Sequence, residues 1–173
     1  MRTEELRQSF ASLGFNNATT YLQSGNVVFQ CNLANMQELT LQTEMKVEQV
    51  FGHHAAVVLL EKQHLSKIVL SNPFLNQRYS DPSRLYVTFL SQPPSNAQWA
   101  RLTPPKGITD EMAMSEGVIY LLCPSGYGKT RLSSTFFESK LGGLATTRTW
   151  NTVKALFHLA EKVKARMWAG KMG

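Results

Sequence analysis

The chain has 173 residues, a formal net charge of +6, 43% apolar residues and 17% charged ones. That length suits one domain or two small ones, and that apolar share excludes a disordered chain. With only Cys31 and Cys123 a disulfide scaffold is excluded and both read as reduced thiols of a cytoplasmic protein, while no apolar run approaches the ~20 residues of a membrane span.

The charged start, Met1-Arg-Thr-Glu-Glu-Leu-Arg-Gln, is unlike a signal peptide. Leu6, Phe10 and Leu13 at helical spacing predict a helix over 3–13, capped by Thr3 and stopped by Gly14. Residues 19–30 predict a β-hairpin around Ser24-Gly25-Asn26, a tight turn in preference to a polar binding loop. Asn35 opens a helix to about Phe51, with Met36, Leu39, Val47, Val50 and Phe51 on one face and Glu38, Glu44, Lys46 and Glu48 in solvent. Gly52 stops it. His53-His54 and His64 follow without a Cys or acidic cluster at ligand spacing, so no metal is expected. Residues 55–60 read as a strand and 63–70 as a helix. The polar, turn-rich stretch after Asn72-Pro73 holds the expected boundary between halves 1–78 and 79–173.

The second half repeats the rhythm. A strand over 84–90 alternates Leu85, Val87 and Phe89 with Tyr86 and Thr88, and Ser95 caps a short helix carrying Trp99 and Leu102. Residues 109–115 and 118–123 form a hairpin around Glu116-Gly117. A helix is expected over 129–141, with Leu132, Phe136, Phe137 and Leu141 inward and Gly142-Gly143 as its stop; 144–147 is extended. The last helix, about 150–168, has Trp150, Val153, Leu156, Phe157, Ala160, Val163 and Met167 on one stripe. Trp150 and Trp168 thus read as core, not base-stacking platforms. The order β-α-β-β-α-β is the ferredoxin-like, or α-β plait, arrangement. The expected fold class is α+β: two such halves, the first lacking its first strand.

Three stretches, Leu13-Gly-Phe with Thr20-Tyr-Leu-Gln-Ser-Gly-Asn-Val-Val-Phe29, Leu132-Ser-Ser-Thr-Phe-Phe-Glu-Ser-Lys-Leu-Gly142, and Ala145-Thr-Thr-Arg-Thr-Trp-Asn-Thr-Val153, together resemble a bacterial family, the domain of unknown function numbered 1697. The resemblance runs through nearly the whole chain. It implies two plait halves and brings no established reaction. Family members open with a strand and a glycine-rich turn before the first helix, whereas this chain starts inside that helix. The missing strand is central in a plait, so either the given start is too late or a partner strand or rearranged edge fills the gap. The family also tends to carry Asn where Thr149 stands.

Charge is uneven. Residues 1–125 hold nine Lys/Arg against ten Asp/Glu, and 126–173 hold nine against Glu138 and Glu161. Such asymmetry points to an anionic partner. A plainer account holds for Lys162, Lys164, Arg166 and Lys171, which complement the negative end of the last helix. Cys123-Pro-Ser-Gly-Tyr-Gly-Lys-Thr130 approaches the phosphate-loop pattern Gly-x4-Gly-Lys-[Ser/Thr]. Cys123 replaces the first glycine, a proline interrupts, and no strand ending in Asp supplies a metal ligand, so nucleotide hydrolysis and a cofactor are not expected.

The weaker form is an anion site of two helix starts, with Lys129 and Arg131 at one and Arg148 and Asn151 at the other. The plainer alternative pairs Arg148 with Glu138 and makes Thr149 a cap. No nucleophile–base pair emerges; His158 sits mid-helix, and Asp81, Asp110 and Glu111 lie in loops. Three functions remain: a binding module for a phosphate-bearing ligand or nucleic acid, an enzyme acting on a phosphorylated small molecule in the cleft between halves, or a self-associating homodimer without catalysis.

Overall fold

The computed structural model describes residues 3–21, 25–32, 35–77, 81–162 and 167–171. In chain order it holds α1 (Thr3–Ser12), β1 (Asn16–Tyr21), β2 (Asn26–Gln30), α2 (Met36–Phe51), β3 (Val57–Glu61), α3 (Lys62–Leu70), β4 (Leu85–Leu90), α4 (Asn96–Arg101), β5 (Glu111–Ser115), β6 (Val118–Leu122), α5 (Ser134–Leu141), β7 (Ala145–Thr149), α6 (Trp150–Lys162) and β8 (Met167–Lys171). The chain is a mixed α/β protein with two four-stranded antiparallel sheets, ordered β1-β2-β8-β3 and β5-β6-β4-β7. It divides into two compact units, 1–66 with 155–173, and 67–154. The sequence reading divides it at 78/79.

Local signals build most of these elements. Asn35 accepts from the backbone N–H groups of Gln37 and Glu38 and so caps α2, and Gly52 ends it at φ 72°. Ser95 and Gln98 form a reciprocal capping box on α4. Glu116 and Gly117 both take positive φ, 53° and 72°, as a two-residue turn between β5 and β6 requires. Asn26 is fully buried at the start of β2, and its amide donates to the Tyr21 carbonyl at 3.5 Å, so it closes the hairpin instead of offering a binding edge. Ser24 lies outside the described residues. Glu44 is not a solvated helix position, because its carboxylate accepts from the Val57 N–H at 2.9 Å and fastens α2 to β3.

In the first unit Phe10, Phe15, Val27, Phe29, Leu39 and Val47 form one cluster. Phe15 and Phe29 stack with ring centroids 4.4 Å apart, and Phe10 meets Phe29 edge-on at 5.5 Å. Each such side chain contributes about 1.5–3 kcal/mol by burial. In the second unit Leu90, Ile119, Leu121, Leu132, Phe137 and Leu141 join one face of the sheet to α5. The other face carries Leu85, Val87, Phe89 and Tyr120, all buried, with the Tyr120 hydroxyl donating to the Ile68 carbonyl at 2.8 Å. The central strands β4 and β6 therefore have no open face.

Two expected helix bounds fail. The helix expected from residue 129 begins at Ser134, because Ser133 is the residue whose hydroxyl caps it, accepting from Phe136 N–H at 3.2 Å. The last helix ends at Lys162, and Met167 and Trp168, expected on its stripe, stand in β8 between β2 and β3. Residues 163–166 of that expected helix lie outside the described residues. At Met167 and Trp168 the helical stripe yields to a sheet position with a strand on each side.

Candidate functional site

The register of the second sheet brings several loops to one end. Leu85 of β4 pairs with Leu122 of β6, Glu111 of β5 pairs with Leu122, and Tyr86 pairs with Thr149 of β7. The start of β4, the start of β5, the end of β6 and the end of β7 therefore share that end. It carries Arg84, the loop before β5, the glycine-rich loop 123–133, and the junction of β7 with α6.

The glycine-rich loop is bound from within. Its backbone N–H groups at Gly126, Lys129 and Thr130 donate to the carbonyls of Cys123, Gly126 and Tyr127, and Cys123 N–H donates to Arg84. Tyr127 N–H donates to the Tyr86 hydroxyl at 3.3 Å, and Leu132 N–H to Thr130 Oγ1 at 3.0 Å. A phosphate loop needs those groups aimed at its ligand. Thr130, the residue that would hold a metal, donates its hydroxyl to Asp110 at 2.6 Å. Lys129 sits in a single 3-10 turn, Tyr127–Lys129, and not at a helix start. The phosphate-loop resemblance is thus one of sequence alone.

Tyr127 anchors the loop to β7. Its hydroxyl donates to Thr147 Oγ1 at 3.0 Å and accepts from Ser134 N–H at 3.1 Å. Thr147 also meets Ser134 Oγ at 3.1 Å and Thr88 Oγ1 at 2.8 Å, so four hydroxyls form one half-buried cluster. Cys123 lies beneath, and burial pushes its thiol up to about 11.

The four site residues expected from sequence all fall at this end of the sheet but are not joined. Lys129 is exposed. Arg131 is exposed and donates through Nη1 to the Lys106 carbonyl at 3.1 Å. Arg148 is half-buried on β7 opposite Val87, and donates to Thr146 Oγ1 at 2.6 Å and the Thr147 carbonyl at 3.1 Å. Burial lowers its pKa, though a guanidinium stays charged. Strand alternation sets Arg148 and Thr147 on opposite faces, so the loop that packs on Thr147 through Tyr127 is not on the Arg148 face. Asn151 is exposed in the first turn of α6. That helix is capped by Thr149, whose Oγ1 accepts from Thr152 N–H at 3.2 Å. Glu138 accepts from Ala145 N–H at 2.9 Å, so the carboxylate considered for Arg148 has a backbone role. Neither helix start is therefore an open anion cradle.

Sequence reasoning missed two further cations. Arg84 lies beside the loop, where a side chain at Gly126 would approach its Nη1 within 3.0 Å. Lys106 is held near by the Arg131 contact. Both are distant in sequence, and no local pattern marks them. In the first unit an open groove of about 430 Å³ lies between α1 and β1, lined by Arg7, Gln8, Phe15 and Asn17. Arg7 is already tied to Glu4 at 2.8 Å. Among the described residues, no three His, Cys, Asp or Glu side chains gather as a metal would need, and no helix is long and apolar enough to cross a membrane.

Residues 1–120 match the model of a family described as a protein of unknown function, DUF1697. The chain belongs to this family. The DUF1697 match includes the hairpin stretch 13–29 and stops before the stretches 132–142 and 145–153. No curated protein and no solved structure matches the chain.

Proposed function

We propose that this DUF1697 protein is a cytoplasmic binding module of two plait-type halves, divided in sequence near residue 78, and that the second half holds a phosphate-bearing ligand, nucleic acid included. The strand order β5-β6-β4-β7 with the sequence β4-α4-β5-β6-α5-β7 supports the ferredoxin-like reading of that half. The observation that carries the binding reading is the Arg131–Lys106 contact. It draws the 106 loop to the glycine-rich loop, so Arg84, Lys106, Lys129 and Arg131 are exposed at one end of one sheet. Arg148 and Asn151 stand at the same end.

Such a surface binds through phosphate charge, not through bases. The central strands β4 and β6 are buried on both faces, so among the described residues they offer no aromatic platform for stacking. Binding is therefore weak in sequence preference and steep in salt. The enzyme alternative gains no support from two of the histidines. His53 Nδ1 bonds its neighbouring Phe51 carbonyl, and His54 meets Glu48 on an exposed helix end.

The test is fluorescence anisotropy with a labelled single-stranded oligonucleotide, and with pyrophosphate as competitor, from about 20 to 200 mM salt. Binding at low salt should fall at least tenfold in K129E/R131E, with a shallower salt slope. Absence of binding to both probes at low salt would sink the proposal.

A further inference from the structure

The outer strands of the two sheets are β1, β3, β5 and β7. An outer strand turns a row of N–H and C=O groups outward, where another strand can pair with them. Three of these edges are blunted. β1 is kinked, with a register shift between Asn16 and Thr19 and a left-handed Asn17 at φ 54°. On β3 the Val57 N–H is taken by the Glu44 carboxylate at 2.9 Å. On β7 the Ala145 N–H is taken by Glu138 at 2.9 Å, and Arg148 Nη1 donates to the Thr147 carbonyl at 3.1 Å.

β5 carries no such device among the described residues. It pairs with β6 in unbroken register from Glu111 to Ser115, without Pro or Lys. Hydrogen-bond alternation fixes which of its groups point outward. The two-residue turn Glu116-Gly117 makes Ser115 and Val118 a bonded pair, so Ala113 and Glu111 also bond to β6. The same phase runs through the sheet, since Cys123 N–H reaches the Arg84 carbonyl and Ser91 N–H the Leu144 carbonyl. Met112 and Met114 therefore turn N–H and C=O away from β6, and these groups meet no partner in the chain. Both side chains are half-buried, and Met112 packs on the cluster that holds Leu121 and Phe137. The strand is anchored on the core while its edge is open.

We propose that the β5 edge joins two copies of this chain, β5 pairing antiparallel with β5 of the second copy about a two-fold axis at Ala113. That register sets Met112 of one copy against Met114 of the other as bonded pairs, so every outward N–H and C=O of the two methionines is satisfied. Ala113, the smallest residue of the strand, meets itself on the axis, and Glu111 faces Ser115, so no like charges oppose within the paired five. Just outside, Asp110 stands across from Glu116 of the other copy, but its carboxylate is already held by Thr130 at 2.6 Å. One short strand pair is small beside a standard interface of about 1,600 Å², so the dimer is a weak one.

The experiment uses the full chain. Sedimentation equilibrium at concentrations up to about 1 mM should show a dimer that grows with concentration. Met114→Pro removes an outward N–H that the monomer does not use, and should weaken association at least about tenfold with the melting temperature kept. Ala113→Cys should form a 113–113 disulfide under mild oxidation, found by peptide mass, because facing residues of a non-bonded pair lie about 4.5 Å apart at Cα. Glu111→Cys should not bridge to itself but should bridge to Ser115→Cys in a mixture. A parent that stays monomeric throughout, as it would if this edge served a foreign peptide, overturns the proposal. So does a dimer in which neither the 113–113 nor the 111–115 bridge forms, even where Met114→Pro fails to fold.

Discussion

Thr130 donates its hydroxyl to Asp110 at 2.6 Å and accepts the Leu132 N–H at 3.0 Å, which ties the glycine-rich loop to the segment before β5. A carboxylate that loses a charge-assisted partner while half-buried is left underbonded. Thr130→Val should therefore destabilise the protein by about 1–3 kcal/mol in urea unfolding. Asp110→Asn, which keeps an accepting oxygen, should be milder. Magnesium should add no more to any stabilisation by ATP or GTP in the parent than in T130V, since this threonine is not a metal ligand.

Tyr127 and Thr147 should behave as one unit. Each of Tyr127→Phe and Thr147→Val should cost about 0.5–1.5 kcal/mol. The double variant should cost less than their sum by at least about 0.5 kcal/mol, because both remove the same 3.0 Å bond. Additive losses in a double-mutant cycle would mean that the hydroxyl cluster does not form.

Stability should fall as pH rises from about 9. Burial pushes the Cys123 thiol from 9.0 up to about 11, so the unfolded chain loses this proton first. The folded state is then penalised by ~1.4 kcal/mol per pH unit across that window, levelling above about pH 11. Burial also raises the Tyr120 phenol, which adds to the loss in the same direction. Cys123→Ala should flatten the slope between pH 9 and 11 in denaturant titrations while leaving the Tyr120 component.

Gly142 and Gly143 follow α5, both with positive φ, at 75° and 74°. Alanine at either should cost about 1 kcal/mol from backbone strain. Only at Gly143 would the new methyl also meet Ser91 Oγ, at 2.8 Å, where that oxygen accepts the Leu144 N–H. G143A should thus lower the urea midpoint more than G142A, and Ser91→Gly should narrow the gap.

What could be read from the sequence was local. Asn35, Gly52, Ser95 and Glu116-Gly117 each act within four residues of themselves, and each stands where its pattern put it. The start of α5 was misplaced because Lys129, Thr130 and Arg131 are acceptable helix residues on their own, while Asp110 and Lys106, which hold the loop open, lie 20 or more residues away. The candidate cations follow the same rule. Lys129 and Arg131 declare themselves beside a glycine-rich run, but Arg84 joins them only through the register of β4 with β6. The end of α6 was missed because a good helical stripe says nothing about a sheet position waiting elsewhere.

The placement of β8 also sets an order of events during synthesis. Every strand of the second sheet is made by the time Thr149 is added, so that unit needs nothing from β8 to close. The first unit, though begun earlier, must wait with β2 and β3 apart until Lys171 has been added. A released chain ended just before Met167 should therefore present a protease-resistant later portion and a cleavable earlier one, the reverse of the usual sequence in which amino-terminal portions mature first.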